Sequence, residues 1–367
     1  MASAPLLEAA DPLAAAYALI ECGNADEAVA LLERLHEERR GGLLLQGARI
    51  DALIAANKTA QALPVAREAA ALYPNVAAAA VALGKTLLAA GHLPAAIGEF
   101  QRALRLDPDL VAARFALGSA WIEAGEADKA HDAFALIPPE NAPPALAEKL
   151  AEIARMHALA RSDARYVRHL FDQFSAEYDA RMLEQLHYGA PAILRNLAEL
   201  VGLSPRRQYD VLDLGCGTGL AGEAFKDIAK RLDGIDLSPA MVERAEARGI
   251  YDRLMVGDIE TAIAHIGGRY DAILAADTLV YLGELSSLFR NIARALAPQG
   301  MFLFSVERSA DAKGFELGPK RRWRHSESYL RSAAAAAGLD VAGLLECVPR
   351  TEAGKPVEGY AVALICT

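Results

Sequence analysis

Residues 211–225 read VLDLGCGTGLAGEAF, and this stretch decides the fold of the second half of the chain. An apolar run ends in Asp213, glycines follow at 215, 217 and 219, and a helix-forming stretch begins at Leu220. A short apolar run closed by glycine signals a buried strand. Glycine lets the chain turn tightly and lets a ligand approach the backbone closely. Free N–H groups at the start of the following helix suit a carboxylate or a phosphate. The glycines Gly215, Gly217 and Gly219 are spaced GxGxG, with Leu220 where a dinucleotide fingerprint would place its last glycine. That disfavours a pyrophosphate site and the nicotinamide dehydrogenase reading that goes with one.

Outward from this loop, short apolar segments alternate with helical ones. The expected strands are YDVLDL (209–214), RLDGIDL (231–237), LMVGD (254–258), YDAILAAD (270–277) and GMFLFSVE (300–307). LDVAGLLECV (339–348) and GYAVALIC (359–366) follow, joined by the polar turn TEAGKP, and read as an antiparallel hairpin. Alternation of this kind implies a parallel sheet with crossover helices. Ligands in such sheets bind beyond the carboxyl ends of the strands. Acidic residues stand at four of those ends: Asp213, Asp236, Asp258 and Asp277. A glycine loop alone is compatible with a structural turn, and Asp277 alone with a helix cap. Three acids at three successive strand ends point instead to a ligand site.

The first 144 residues follow a different rule. Gly84 in VALGKTLLAAG and Gly118 in FALGSAWIEAG lie 34 residues apart, which frames four units starting at residues 9, 43, 77 and 111. Ala28, Ala62, Ala96 and Ala130 recur in register, followed four residues later by Leu32, Ala66, Phe100 and Phe134. Small residues at a helix crossing allow close approach, and stacked helix pairs bury their apolar faces only against one another. PALAEKLAEIARMHALA (144–160) has helical spacing and is expected to cap the stack. Trp121 and Arg114 are candidates for a groove, weighed against ordinary packing and surface roles.

Bulk properties narrow the function. The chain has 367 residues and a net charge of −10. It lacks the cationic surplus that nucleic-acid binders need, with KRRWRH (320–325) as the one basic run. No apolar run reaches the roughly 18–20 residues that span a membrane. MASAPLLEAADPLAAA has no positive n-region and carries Glu8 and Asp11, so no secretory signal is expected. Cys22, Cys216, Cys347 and Cys366 form no CxxC pair, consistent with a reduced, cytoplasmic setting. His157, His169, His187 and His265 are scattered, and no metal cluster is expected.

The loop with Asp213, Gly215, Gly217 and Gly219, followed by GIDLSPAM and VGDIE, resembles the class I S-adenosylmethionine-dependent methyltransferases over roughly residues 165–367. The first 144 residues resemble the tetratricopeptide repeats, most closely in the third and fourth units. The combination is similar to predicted bacterial methyltransferases fused to such repeats. The expected fold class is therefore α plus α/β. An all-α tetratricopeptide solenoid (1–160) would precede a Rossmann-like, seven-stranded methyltransferase domain (161–367).

The resemblance implies S-adenosyl-L-methionine as cofactor and S-adenosyl-L-homocysteine as product. It implies that Gly215, Cys216, Gly217 and Gly219 pack on the methionyl part while Asp213 meets its amino group. Asp236, with Leu237, would accept the ribose hydroxyls, Met241 would lie near the adenine, and Asp258 with Ile259 would meet the adenine amino edge. Asp277 would stand by the methionine end, and Tyr178 would belong to a lid. The stretch from Phe171-Asp172 through Ser175 to Tyr178-Asp179 is similar to the FDxxAxxYD element of these enzymes, with Ser175 in place of its Ala.

For a base at the acceptor, His325 and His187 are the first candidates because imidazole titrates near neutrality, with Tyr188 beside them. His325 and Arg322 lie in a polar insertion, SADAKGFELGPKRRWRHSESYL, whose plainer reading is a solvated loop with Ser326 capping the next helix. The acceptor is expected to be a small molecule or a carrier- or protein-bound group. The repeats would recruit a protein partner or mediate self-association, with neither nucleic acid nor membrane as partner. The alternative is a cofactor-binding interaction scaffold without catalysis; the intact glycine loop and Asp236 argue against it.

Overall fold

The computed structural model describes residues 11–38, 42–204, 209–266, 269–310, 314–318 and 321–366. The first ten residues, on which most of the signal-peptide reading rests, and Lys320 of the basic run lie outside them. The chain divides into two compact units, Met1–Ala158 and Leu159–Thr367.

Alanine-rich segments with a 34-residue period make the first unit a series of helix pairs. These are α1 (Pro12–Glu21) with α2 (Ala25–Glu37), α3 (Leu43–Ala55) with α4 (Thr59–Leu72), α5 (Ala77–Ala89) with α6 (Leu93–Leu106), and α7 (Val111–Glu123) with α8 (Ala127–Ala135). Helix α9 (Leu146–Ala158) packs on α7 and α8 and buries Ile153. The in-register alanines 28, 62, 96 and 130 are all fully buried. A Cβ on Gly84 would lie 2.5 Å from the Phe100 ring, and one on Gly118 would lie 2.3 Å from the Phe134 ring. Glycine is thus required there by the large residue on the partner helix. The earlier units solve the same crossing with other volumes: Ala16 with Leu32, and Ile50 with Ala66, all buried. Lys129 sits over the Trp121 ring and Arg114 bonds the Pro108 carbonyl, so both residues serve local packing.

In the second unit, α10 (Ala164–Phe174), α11 (Tyr178–Ala180) and α12 (Ala190–Leu200) precede the sheet. Strands β1 (Tyr209–Leu214), β2 (Ala229–Asp236), β3 (Arg253–Val256), β4 (Tyr270–Ala275) and β5 (Leu296–Arg308) run parallel in the order β3-β2-β1-β4-β5. Helices α13 (Leu220–Phe225), α14 (Pro239–Ala247), α15 (Ile259–His265) and α16 (Ser286–Ala295) fall between them.

The polar insertion folds differently from the solvated loop expected. It forms β6 (Phe315–Leu317) and β7 (Trp323–His325), which pair with each other, and β7 joins the end of β5. Helix α17 (Glu327–Ala336) follows, N-capped by Ser326 as expected. Strands β8 (Leu339–Glu352) and β9 (Lys355–Cys366) form the expected hairpin, with β9 antiparallel to β5. The sheet therefore has nine strands rather than seven, the two extra ones coming from the insertion.

Two apolar layers cover the sheet. On one face Phe289, Phe302 and Phe304 meet Ile292 and Leu330; on the other Leu194, Leu197 and Phe225 pack on Val211 and Leu303. Strand order reverses between β1 and β4, and a cleft opens at the carboxyl ends there, as sheets of this topology require.

Candidate active site

The glycine loop bends because its glycines adopt left-handed φ: +70° at Gly215 and +55° at Gly217. Gly215 is also packed against Thr278, whose side chain would lie 2.4 Å from an added Cβ. Gly217 faces open space and lines the cleft. The loop is tied to β2, where Gly215 and Cys216 N–H groups donate to the Ile235 carbonyl at 2.8 and 3.0 Å.

At the end of β2 stands Asp236, nine-tenths buried. Its Oδ2 accepts the Gly217 N–H at 2.8 Å and its Oδ1 the Ser238 N–H at 2.9 Å. Burial pushes its carboxyl up, and those N–H groups counter the shift. A carboxylate has about four acceptor positions, so each oxygen keeps capacity for a ligand hydroxyl. Asp236, Leu237, Asp258, Ile259, Asp277 and Tyr178 all line the cleft. The space in and over the cleft, open solvent at its mouth included, is about 680 Å³.

Asp213 lies behind the loop, fully buried. Its Oδ2 accepts the Tyr251 hydroxyl at 2.7 Å, while Oδ1 has no partner among the described residues. Burial, with Asp236 nearby, raises its carboxyl to about 7 against the Tyr251 hydrogen bond. Asp213 does not line the cleft among the described residues, so its orphaned oxygen fits a cationic amino group reached through water.

Asp258 caps α15, its Oδ1 accepting the Glu260 N–H at 3.0 Å and the Thr261 N–H at 3.3 Å, and it pairs with Arg161 through Oδ2. Burial works against its charge, but the Arg161 hydrogen bond and charge prevail and lower its pKa. Asp277 is held at φ +57°. Its N–H donates to Ser305 Oγ at 2.8 Å, and its Oδ1 accepts Arg350. It is therefore an ion-paired wall residue and caps no helix. Fully buried Arg350 also binds Glu307 and Glu352. Burial opposes the charge of Arg350, and Asp277 and Glu307 outweigh it.

A roof is formed by Phe171, Tyr178 and Tyr281, whose rings meet edge to face at 6.0 and 5.6 Å. The acids of the element around Tyr178 pin this roof. Ser238 Oγ donates to Asp172 at 2.5 Å, and Asp179 binds both Thr218 and Arg248. Burial, then Asp277, hold the Tyr178 phenol protonated well above its usual range.

Several sequence-based expectations need correction. His325 does not face the cleft. It is fully buried among Phe315 and Tyr329, and its Nε2 lies 3.0 Å from the Gly283 carbonyl. Burial lowers its pKa to about 4, so it is a neutral core residue and no base at the acceptor. His187 is exposed, at φ +47°, and lies off the cleft lining. Tyr188 sits just behind the lining, its hydroxyl 3.3 Å from the Ala276 carbonyl. Burial and Asp277 push its phenol far up, which suits a donor rather than a base. Met241 is fully buried and, like Cys216 and Gly219, shapes the loops without lining the cleft. Arg322 is paired with Glu352.

The sequence reading missed Arg161, Ser162, Val167 and Phe171 in the lining, and Arg350 beneath it. Each reaches the site from a distant segment. Only the aromatic and acidic spacing at 171–179 carried a signal.

Residues 212–304 match the family model described as a methyltransferase domain. Residues 48–110 and 87–153 match two models described as tetratricopeptide repeats. The ubiquinone biosynthesis O-methyltransferase of Xanthomonas oryzae pv. oryzae is 29% identical over 156 residues, covering 37% of this chain and 65% of that protein. The malonyl-[acyl-carrier protein] O-methyltransferase of Acetivibrio thermocellus is 24% identical, covering 37% and 47%. The chain thus spans less than two thirds of the length of these relatives. Among solved structures, the magnesium protoporphyrin IX methyltransferase of Synechocystis PCC 6803 with bound SAM is 18% identical. It covers 56% of this chain and 97% of that one, with a TM-score of 0.43. By its sequence the chain carries a methyltransferase domain preceded by tetratricopeptide repeats.

Proposed function

We propose that the chain is an S-adenosylmethionine-dependent methyltransferase whose cofactor lies in the cleft at the carboxyl ends of β1, β2 and β4. The observation that carries this reading is Asp236. It is a buried carboxylate fixed by two backbone N–H groups beside a glycine-lined opening. That arrangement suits a ribose diol better than a phosphate, which a carboxylate would repel. Asp213 meets the amino group through water from behind the loop, Gly215 and Gly217 leave room for the methionyl chain, and Leu237 and Ile259 flank the adenine.

The cofactor supplies a methyl group already activated on a sulfonium centre. The chain's work is to hold an acceptor in line with it at about 3–3.5 Å and to keep water out. The roof of Phe171, Tyr178 and Tyr281 serves the second task. Tyr178, a neutral phenol on the cleft wall, can donate a hydrogen bond to an acceptor oxygen but cannot serve as a base at neutral pH, whereas the Tyr188 hydroxyl already donates to the Ala276 carbonyl behind the lining. The relatives whose names specify oxygen methylation favour an oxygen acceptor on a small or carrier-bound molecule, and the repeat unit would recruit the partner that carries it or join two copies. We place the activity in the cytoplasm, a reading supported by four free cysteines. Among the described residues no helix is long and apolar enough to cross a membrane.

Calorimetry tests the reading. The full chain should bind S-adenosylmethionine and S-adenosylhomocysteine, and Asp236→Ala should weaken both at least about tenfold by removing two charge-assisted hydrogen bonds. Unchanged affinity in that variant, or saturable binding of a nicotinamide dinucleotide instead, would refute it.

A further inference from the structure

Arg161 lies three residues beyond the end of α9. Its segment is fastened to the loop that closes the cleft: the Gly283 and Glu284 N–H groups donate to the Ala160 carbonyl at 2.8 and 3.1 Å. The Ser162 N–H donates to the Tyr281 carbonyl at 2.8 Å. Residue 161 forms a β-bridge with Leu282, and Ser162 Oγ donates to the Arg321 carbonyl at 3.1 Å. Asp163 then caps α10 by accepting the Arg165 N–H, and α10 carries Val167 and Phe171 of the lining.

The Arg161 side chain enters the cleft beside Asp258 and Ile259, and no other lysine or arginine lines it among the described residues. One N–H each from its two terminal nitrogens goes to Asp258 and Glu260, and Nε lies 3.5 Å from the Ser162 carbonyl. Of five guanidinium donors, two therefore remain without a partner among the described residues. They belong to a planar cation, about a quarter exposed, at the end of the cleft where the reading above seats the purine. A purine offers a π face and ring nitrogens that accept hydrogen bonds. A guanidinium fork held flat by two carboxylates can stack on the one or donate to the others.

We propose that Arg161 is a cofactor-binding residue that grips the adenosine end, supplied from outside the glycine-loop motifs by the segment that follows the last repeat helix. The assignment rests on the cleft being the S-adenosylmethionine site. It also revises the role of Asp258, which orients Arg161 as well as the helix it caps.

The experiment uses the full chain and three probes that share adenosine: S-adenosylmethionine, S-adenosylhomocysteine and 5′-methylthioadenosine. Arg161→Met should weaken all three by a common factor of about tenfold or more, and Arg161→Lys should recover only part because an ammonium has no planar fork. The thermal midpoint of the ligand-free variant shows whether it folds. Independently of any variant, 5′-methylthioadenosine should protect Arg161 from phenylglyoxal, read by peptide mass spectrometry. Unchanged affinities in folded Arg161→Met, or unchanged modification of Arg161 at saturating probe, would overturn the assignment. A wild-type chain that binds none of the three probes would instead defeat the parent reading of the cleft.

Discussion

At the scale of single residues, Asp213 gives the clearest physical consequence. A buried acid whose pKa is raised to about 7 binds its proton more tightly in the folded chain than in the unfolded one, where a carboxyl titrates near 3.9. The folded state then carries the extra proton between about pH 4 and pH 7, so stability falls as pH rises through that window and levels off above it. The shift corresponds to roughly 4 kcal/mol at most. Asp213→Asn should flatten the pH dependence of the denaturant midpoint and make the ligand-free chain more stable than wild type at pH 8. A bound ammonium group favours the carboxylate, so cofactor affinity in the wild type should rise with pH through neutrality. Parallel pH profiles for wild type and Asp213→Asn would show that this carboxyl titrates normally.

At the scale of elements, the 34-residue repeat stores its information in pairs of volumes. Gly118 stands where α7 crosses α8 because Phe134 fills the space that a side chain would take. Gly118→Ala should cost about 1–3 kcal/mol through overpacking. Adding Phe134→Leu should return a good part of it, since the Ala16–Leu32 crossing of the first unit is that pair already. Chemical denaturation of the two single variants and the double variant reads the coupling; strictly additive losses would contradict it. The same logic explains why strands, helix pairs and the third and fourth repeat units were legible in the sequence. They rest on local periodicity and on glycines whose reason is the next helix. The strands of the insertion were illegible because β7 gains its partner from the far end of β5. The misreading of His325 follows from the same cause. Its polar neighbours suggest a loop, but strand pairing turns the ring inward against Phe315 and Tyr329. Arg161 and Arg350 reach their acids across 97 and 73 positions, a distance over which one sequence carries no spacing rule. By contrast, the acids at the ends of β1 and β2 were legible because topology fixes where strand ends must meet a ligand.

At the scale of the whole molecule, the apolar clusters divide as the chain does. Among the described residues, those built on Leu32, Phe100 and Phe134 draw only on residues before 158, and those around Phe302 and Leu303 only on residues after 190. Two cores without shared members behave as two cooperative units. Differential scanning calorimetry of the full chain should therefore resolve two transitions. A ligand that binds one folded unit raises only that unit's transition, by about 2.7 kcal/mol at a hundredfold excess over Kd. S-adenosylhomocysteine should accordingly move one transition and leave the other in place, and Gly118→Ala should move the one that the ligand does not. A single transition displaced as a whole by either change would mean that the cores are energetically one. The repeat helices would then act on the cleft through the common unfolding equilibrium, rather than only through what they bind.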